Sequence, residues 1–446
     1  MGGTLAAAPG FDFADPFDLG IVFIGVAVFA AVGALSHQHE RAFSASLIYL
    51  GLGALAAVAI NVLGVGWIDV LRDASVIEHL AEAAMVMALF SAGLKLDRAI
   101  TFREWATVGR LLLLAMPITI ALAAALGALL LGLSAAGALL LGAALAPTDP
   151  VLAGDIGVGP PGEEDEHEPN FALTAEAGLN DGLAAPFVLA GVYLAQQGGA
   201  DWTLEWLVAD VLYAIAVGIA VGAAIGLLAA WSVKRLHSRE MLIGTFDGFH
   251  AIATALVIYG VTESLAGYGF LAVFAGGLAF RRYEADHEIN ESVHEGSERL
   301  EKLLELAIIL VLGSMLTRDG LGAPGWAGWL LAVLLLIAVR PLSVMLALVR
   351  SRMDQPGEKA FVAWFGVRGV GTLYYVALIA GAGVLAPPEQ TLVVWTAVAA
   401  VLVSIVVHGV TAGPSMRRLL ARRGREADAS GVRLRPAPAP SSPRAR

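Results

Sequence analysis

Apolar residues along this chain neither alternate nor trace one narrow stripe; they run in long blocks separated by short polar stretches. Alternation would mark the strands of a membrane β-barrel. A block of about 20 apolar residues is instead the length an α-helix needs to cross a ~30 Å hydrocarbon core. The blocks predict thirteen spans, near 17–36, 42–63, 76–97, 106–133, 136–157, 171–195, 205–230, 243–263, 268–281, 301–316, 325–349, 359–383 and 390–413. The expected fold is an all-α polytopic membrane protein of about 13 transmembrane helices. Residues 1–16 form an extracellular segment, 17–413 the transmembrane domain and 414–446 a cytoplasmic tail. The tail is rich in Pro, Ala and Arg without an apolar period, a composition expected to stay disordered.

Composition supports the same class. Of 446 residues, 58% are hydrophobic and 15% charged, with a mean hydropathy of +0.75, more than a water-soluble domain can hide. Asp12, Asp15 and Asp18 precede the first span without Lys or Arg, so that span lacks the basic region of a cleaved signal peptide. With the N-terminus outside, the inner loops hold fourteen Lys and Arg against Arg72 and Arg318 outside, and the tail adds nine arginines. The positive-inside rule then puts the C-terminus in the cytoplasm and makes the span count odd. The expected location is the cell (inner) membrane, with the lipid bilayer as a partner. A net charge of −11 implies no nucleic-acid partner, and the absence of cysteine excludes thiol chemistry. No phosphate-cradling motif and no cofactor is expected; the 51 glycines suit close helix packing.

The informative residues are the polar ones at membrane depth. In FALTAEAGLNDGLAAPFVLAGVYLA (171–195), Glu176, Asn180 and Asp181 interrupt an otherwise apolar span. An ionisable residue at the centre of a span costs roughly 2.5–3.5 kcal/mol on insertion scales and marks function more often than scaffold. Asp181 is about ten residues, or ~15 Å, from the inner end of its span. Glu176 and Asn180, four apart, share a helix face.

The preceding span ends APTDPVLAGD, where Pro147 and Pro150 flank Thr148 and Asp149. Two prolines three apart remove two backbone donors, so the helix should break there. Freed carbonyls beside a carboxylate can coordinate a cation where the break lines a cavity. A second break is expected at FGVRGVG, where Gly366, Gly369 and Gly371 surround Arg368. Buried at this depth, Arg368 needs acidic or carbonyl partners, and Glu176 is the expected one. Two interrupted spans seven apart point to an inverted-repeat secondary transporter with its site at the midplane. Asp181 and Asp149 are thus candidates for a site that holds a cation or protons.

Thr148-Asp149-Pro150, Glu176-x-x-x-Asn180-Asp181, Arg368-Gly369 and SIVVHGVTAGP (404–414) together resemble monovalent cation:proton antiporters of the NhaP type. The resemblance implies a core domain with two crossed unwound helices, a dimerisation domain, a homodimer and elevator-like alternating access. It implies that Asp181 and Asp149 bind the ion, Na+ foremost and Li+ next, helped by the Thr148 carbonyl, while Glu176, Asn180 and Arg368 organise the crossing. Ala177 stands where the family commonly has serine, and Ser91 where it commonly has an acid; Ser91 is counted with the site. Asn180 cannot titrate, so one proton should trade for one cation and exchange should be electroneutral.

Several signals are weaker. Glu82 suits an outer vestibule or an ion pair. Glu263, Arg340 and His408 suit structural pairing or capping, and Asp247 with His250 suits a hydrated helix end. The acidic loop 162–170, with His167, could gather cations or sense pH. The competing readings are a K+/H+ exchanger or potassium-efflux protein, an intramembrane aspartyl hydrolase built on Asp149 and Asp181, and a channel.

Overall fold

The computed structural model describes residues 45–64, 67–149, 167–237, 247–283, 289–351 and 357–430, together with a few isolated positions. The span expected at 17–36, the segment 1–16 and most of the acidic loop lie outside the described residues. Thirteen helices are named here: α1 Ala45–Leu63, α2 Ala74–Lys95, α3 Ala106–Leu131, α4 Ala135–Ala144, α5 Glu168–Gln197, α6 Thr203–Leu236 and α7 Asp247–Ser264. The chain continues through α8 Gly269–Tyr283, α9 Ile289–Ser314, α10 Gly325–Ala347, α11 Glu358–Trp364, α12 Val370–Ala382 and α13 Pro387–Ser430. No strand occurs among the described residues. Seven of the described helices are long and apolar enough to cross a membrane; Ala135–Ala144 and Val370–Ala382 are shorter apolar helices.

Two expected boundaries move. Helix α9 starts at Ile289 rather than 301, because its first half is charged yet folds onto its neighbours. Helix α13 runs past residue 413 to Ser430. The stretch MRRLLARRGREADAS is built largely of Arg, Leu, Ala and Glu, which favour helix whatever their polarity; the Pro- and Ser-rich composition begins only after it.

The helices pack in two groups. One comprises α1, α2 and α6–α9, the other α3–α5 and α10–α13, and they meet where α2 lies on α12 and α8 on α5. Glycine sets the closest approach inside the first group: a Cβ on Gly53 of α1 would stand 2.7 Å from Gly313 Cα on α9. Backbones this near gain dispersion contacts that lipid tails cannot match.

The repeat expected from the two breaks extends to a further pair of helices. In α3 a π-helical turn, Leu111–Ala115, runs directly into Met116-Pro117; in α10 the π turn Leu335–Val339 runs directly into Arg340-Pro341. A wider turn takes up the mismatch where a proline lacks its N–H and crowds the preceding carbonyls. The two elements are seven spans apart, as are the two broken spans.

Candidate functional site

Ser134 begins α4 by accepting the Gly137 N–H on its side chain at 3.1 Å. The helix stops at Ala144, and Pro147, Thr148 and Asp149 continue without helical hydrogen bonds. Across from it, α11 ends at Trp364, residues 365–369 are non-helical, and α12 starts at Val370. Both breaks fall where the prolines and glycines put them.

The two breaks hold each other. The Asp149 N–H donates to the Val367 carbonyl at 2.9 Å, and the Val370 N–H donates to the Asp149 carboxylate at 2.7 Å. Arg368 donates to the Pro147 carbonyl at 2.7 Å and also to the Ala146 carbonyl. Its own N–H donates to Ser404 Oγ of α13 at 2.7 Å. Each contact matches a helix dipole: a carboxylate at the N-terminus of α12, and a guanidinium at the C-terminus of α4.

The expected pairing of Arg368 with Glu176 is corrected. Glu176 forms a two-pronged buried ion pair with Arg340 of α10, at 2.5 and 2.7 Å. Arg368 instead spends its hydrogen bonds on backbone. Sequence alone could not rank the two arginines, because the register of α10 against α5 decides which reaches Glu176. Gly366 contributed a usable signal: a Cβ there would lie 2.6 Å from Arg340 Nε, so the glycine gives the guanidinium its room.

The structure brings the remaining candidate residues together, with one exception. Asn180 donates to Thr148 Oγ1 at 2.7 Å, tying α5 to the first break. Tyr375 donates to the Asp181 carbonyl. The Asp181 carboxylate and Asp149 line a cavity of about 10 Å³ with Ala84, Met85 and Ala88 of α2, Glu305 of α9, and Val370 and Gly371 of α12. That is about the room one water-sized sphere needs. Asp181 Oδ1 and Asn180 Oδ1 are buried acceptors that receive no hydrogen bond among the described residues, and Gly371 has no Cβ to push the Asp181 carboxylate aside.

Ser91 is the exception. It is fully buried but one turn beyond Ala88, and it lies beside Glu301 rather than on the cavity. Glu305 is the cavity residue that sequence reasoning missed. It accepts from Ser46 Oγ at 3.2 Å and is buried. The signal was present in LLELAIIL, a lone acid in an apolar run, although it stands near the polar start of its span.

Among the weaker signals, Glu263 accepts the Gly269 N–H at 2.9 Å and caps α8. His408 lies 3.0 Å from the Trp364 carbonyl and 3.0 Å from the Ser404 carbonyl, binding α13 to the end of α11. Both are structural, as expected.

Two broken helices crossing among the described helices, with carboxylates buried at the crossing, are the arrangement seen in inverted-repeat secondary transporters. The chain belongs to the sodium/hydrogen exchanger family, whose transmembrane model matches residues 19–418. It is 29% identical over 311 residues to a probable Na+/H+ antiporter of Schizosaccharomyces pombe, covering 67% of this chain and 40% of that protein. It is 27% identical over 408 residues to the K+/H+ antiporter NhaP of Alkalimonas amylolytica, covering 91% of this chain and 67% of that one. The chain therefore spans about two fifths of the length of the yeast antiporters it matches, 40% and 42%. Its fold is that of the sodium proton antiporter MjNhaP1 from Methanocaldococcus jannaschii, with a TM-score of 0.71 at 18% identity over 91% of this chain and 99% of the other.

Proposed function

We propose that the protein exchanges a monovalent cation, Na+ foremost, for H+ across a cell membrane. The observation that carries this reading is the unpartnered Asp181 oxygen facing a cavity it shares with Asp149 at the crossing of the broken helices. A desolvated hard cation wants oxygen ligands, and Asp181, Asp149 and the Thr148 carbonyl supply them. Charge balance points the same way. Ionised together, Asp149, Glu176, Asp181 and Glu305 outnumber Arg340 and Arg368, so a cation or protons complete the site.

Asp181 binds either cargo and releases one for the other, while Asp149 stays ionised under the N-terminus of α12. Glu176, paired with Arg340, and Asn180, bound to Thr148, position the crossing without taking a cation. The two helix groups supply what an elevator-like motion requires: a body carrying the crossing and a body for it to move against. Lys and Arg counts favour a C-terminus in the cytoplasm, and the resemblance to NhaP-type antiporters favours a homodimer.

The test is dye dequenching in everted vesicles with Na+, Li+ and K+ in turn. Asp181→Asn and Asp149→Asn should each fold yet lose proton movement with every cation. Wild-type exchange in Asp181→Asn would refute the site. A response to K+ greater than to Na+ would move the chain to the potassium/proton reading that the Alkalimonas relative's name carries.

A further inference from the structure

The crossing accounts for Asp149 and Asp181 but not for a second set of buried titratable groups on α9. His294, Glu298, Glu301 and Glu305 are spaced four, three and four residues apart, which places them on one face of the helix. The stripe runs about 16 Å along the axis. At one end the Glu298 side chain is 32% exposed, and at the other Glu305 lines the cavity that holds Asp181. Glu301, between them, is 4% exposed, and His294, one turn before Glu298, is 3% exposed.

Glu298 closes an ion pair with Lys302, but the buried part of the stripe is not closed in this way. Lys95 of α2 stands 4.0 Å from Glu301, and His294 stands 3.8 Å from Glu298. Both separations exceed a hydrogen bond, and a bridging water spans such a gap. Both ring nitrogens of His294 and Ser297 Oγ are buried and make no hydrogen bond among the described residues, and the buried Ser91 hydroxyl has Glu301 beside it. Buried polar atoms are rarely left so, and a run of them along one helix face fits a file of bridging waters. The cations facing the stripe are Lys95, Arg281 of α8 and Lys302 of α9; Lys302 is held by Glu298 at 2.9 Å, and Arg281 by Asp97 at 2.5 Å.

We propose that this face of α9 is the proton route between the charged start of the helix and the cation site, running from Glu298 and His294 through Glu301 and the Ser91 hydroxyl to Glu305. The inference rests on the cation/proton reading above. At each step one O–H or N–H bond breaks as the next forms, so a single proton moves and no other reactant is consumed. Lys95 and Arg281 facing this route repel a metal cation, whereas a proton can pass along its hydrogen-bonding groups. Proton and cation thus reach Asp181 by different paths. Ser91 then acts along the proton's path rather than on the ion.

Purified protein in liposomes separates the two paths. Na+-driven proton movement needs the route, whereas exchange of radioactive Na+ for unlabelled Na+ needs only the cation site. At alkaline pH, where proton supply limits turnover, Glu301→Gln should slow Na+/H+ exchange by about tenfold or more and leave Na+/Na+ exchange near the wild-type rate. His294→Gln, at the outer end of the stripe, should give the same split and serves if Glu301→Gln does not fold. Unchanged Na+/H+ exchange in both variants would overturn the proposal, as would an equal fall of both exchange modes. A wild-type protein that moves neither tracer Na+ nor protons would instead refute the antiport reading.

Discussion

The two helix breaks solve one problem with opposite chemistry. The first is made by Pro147 and Pro150, which delete backbone donors, and it carries an acid, Asp149. The second is made by Gly366, Gly369 and Gly371, which allow close approach, and it carries a base, Arg368. Each charge serves the other repeat: Asp149 accepts the Val370 N–H at the start of α12, and Arg368 covers the Ala146 and Pro147 carbonyls just past the end of α4. The difference teaches that the sign of the charge at each break follows the helix end it meets. It does not follow directly from the cargo. Because Arg368 is committed to carbonyls, Glu176 must draw its cation from α10, and Asp181 keeps an open oxygen.

The largest effect should come from setting the two arginines against each other. Arg340→Ala strands the buried Glu176 charge, a change that typically costs 3–5 kcal/mol, and the melting temperature should fall steeply. Adding Glu176→Gln should recover much of that loss. The same rescue should fail for Arg368→Ala, whose defect is two unpaired carbonyls worth roughly 1–3 kcal/mol each. Rescue of Arg368→Ala by Glu176→Gln would restore the pairing that the sequence suggested.

A smaller effect should follow from filling the glycine break. In Gly371→Ala the new methyl meets the Asp181 carboxylate, and overpacking of this kind costs about 1–3 kcal/mol. We expect a folded protein whose apparent Na+ affinity in the dequenching assay falls roughly tenfold, the equivalent of about 1.4 kcal/mol. Wild-type affinity would mean that Asp181 does not bind in the position described. Removing a proline from the other break, by Pro147→Ala, should leave affinity nearly intact, because Asp149 is held by α12.

Asn180→Asp keeps the side chain's shape, and the Thr148 hydroxyl can donate to the new carboxylate in place of accepting the 2.7 Å bond from Asn180. Its readout is electrical. In liposomes with an imposed potassium/valinomycin potential, the wild type should balance where the Na+ and H+ gradients are equal, whatever the voltage. Asn180→Asp adds a titratable group, so its balance point should move with potential, since each uncompensated charge couples by about 2.3 kcal/mol per 100 mV. A voltage-dependent balance in the wild type would refute one-for-one exchange.

Much of the crossing was legible because its causes are local. Pro147, Pro150 and the glycines about Arg368 break helices wherever they fall in a span. Asp149 and Asp181 stand out because hydrocarbon tolerates so few acids. Ser91 and Glu305 were misjudged for the opposite reason: a serine and an acid near a span's end are ordinary in sequence, and only their azimuth on α2 and α9 separates a cavity residue from its neighbour.

By itself, the sequence determined the membrane class, nearly all the helices, the two breaks and the acids at the crossing. These depend on the length of apolar blocks and on backbone donors, which each segment carries alone. Only the tertiary structure decided which arginine serves Glu176, that Ser91 sits with Glu301, and that the charged stripe of α9 leads to Asp181. Such pairings depend on the depth and rotation of one helix against another. Glycine-sized gaps such as Gly53 against Gly313 set those quantities, and a pattern read along one chain cannot contain them.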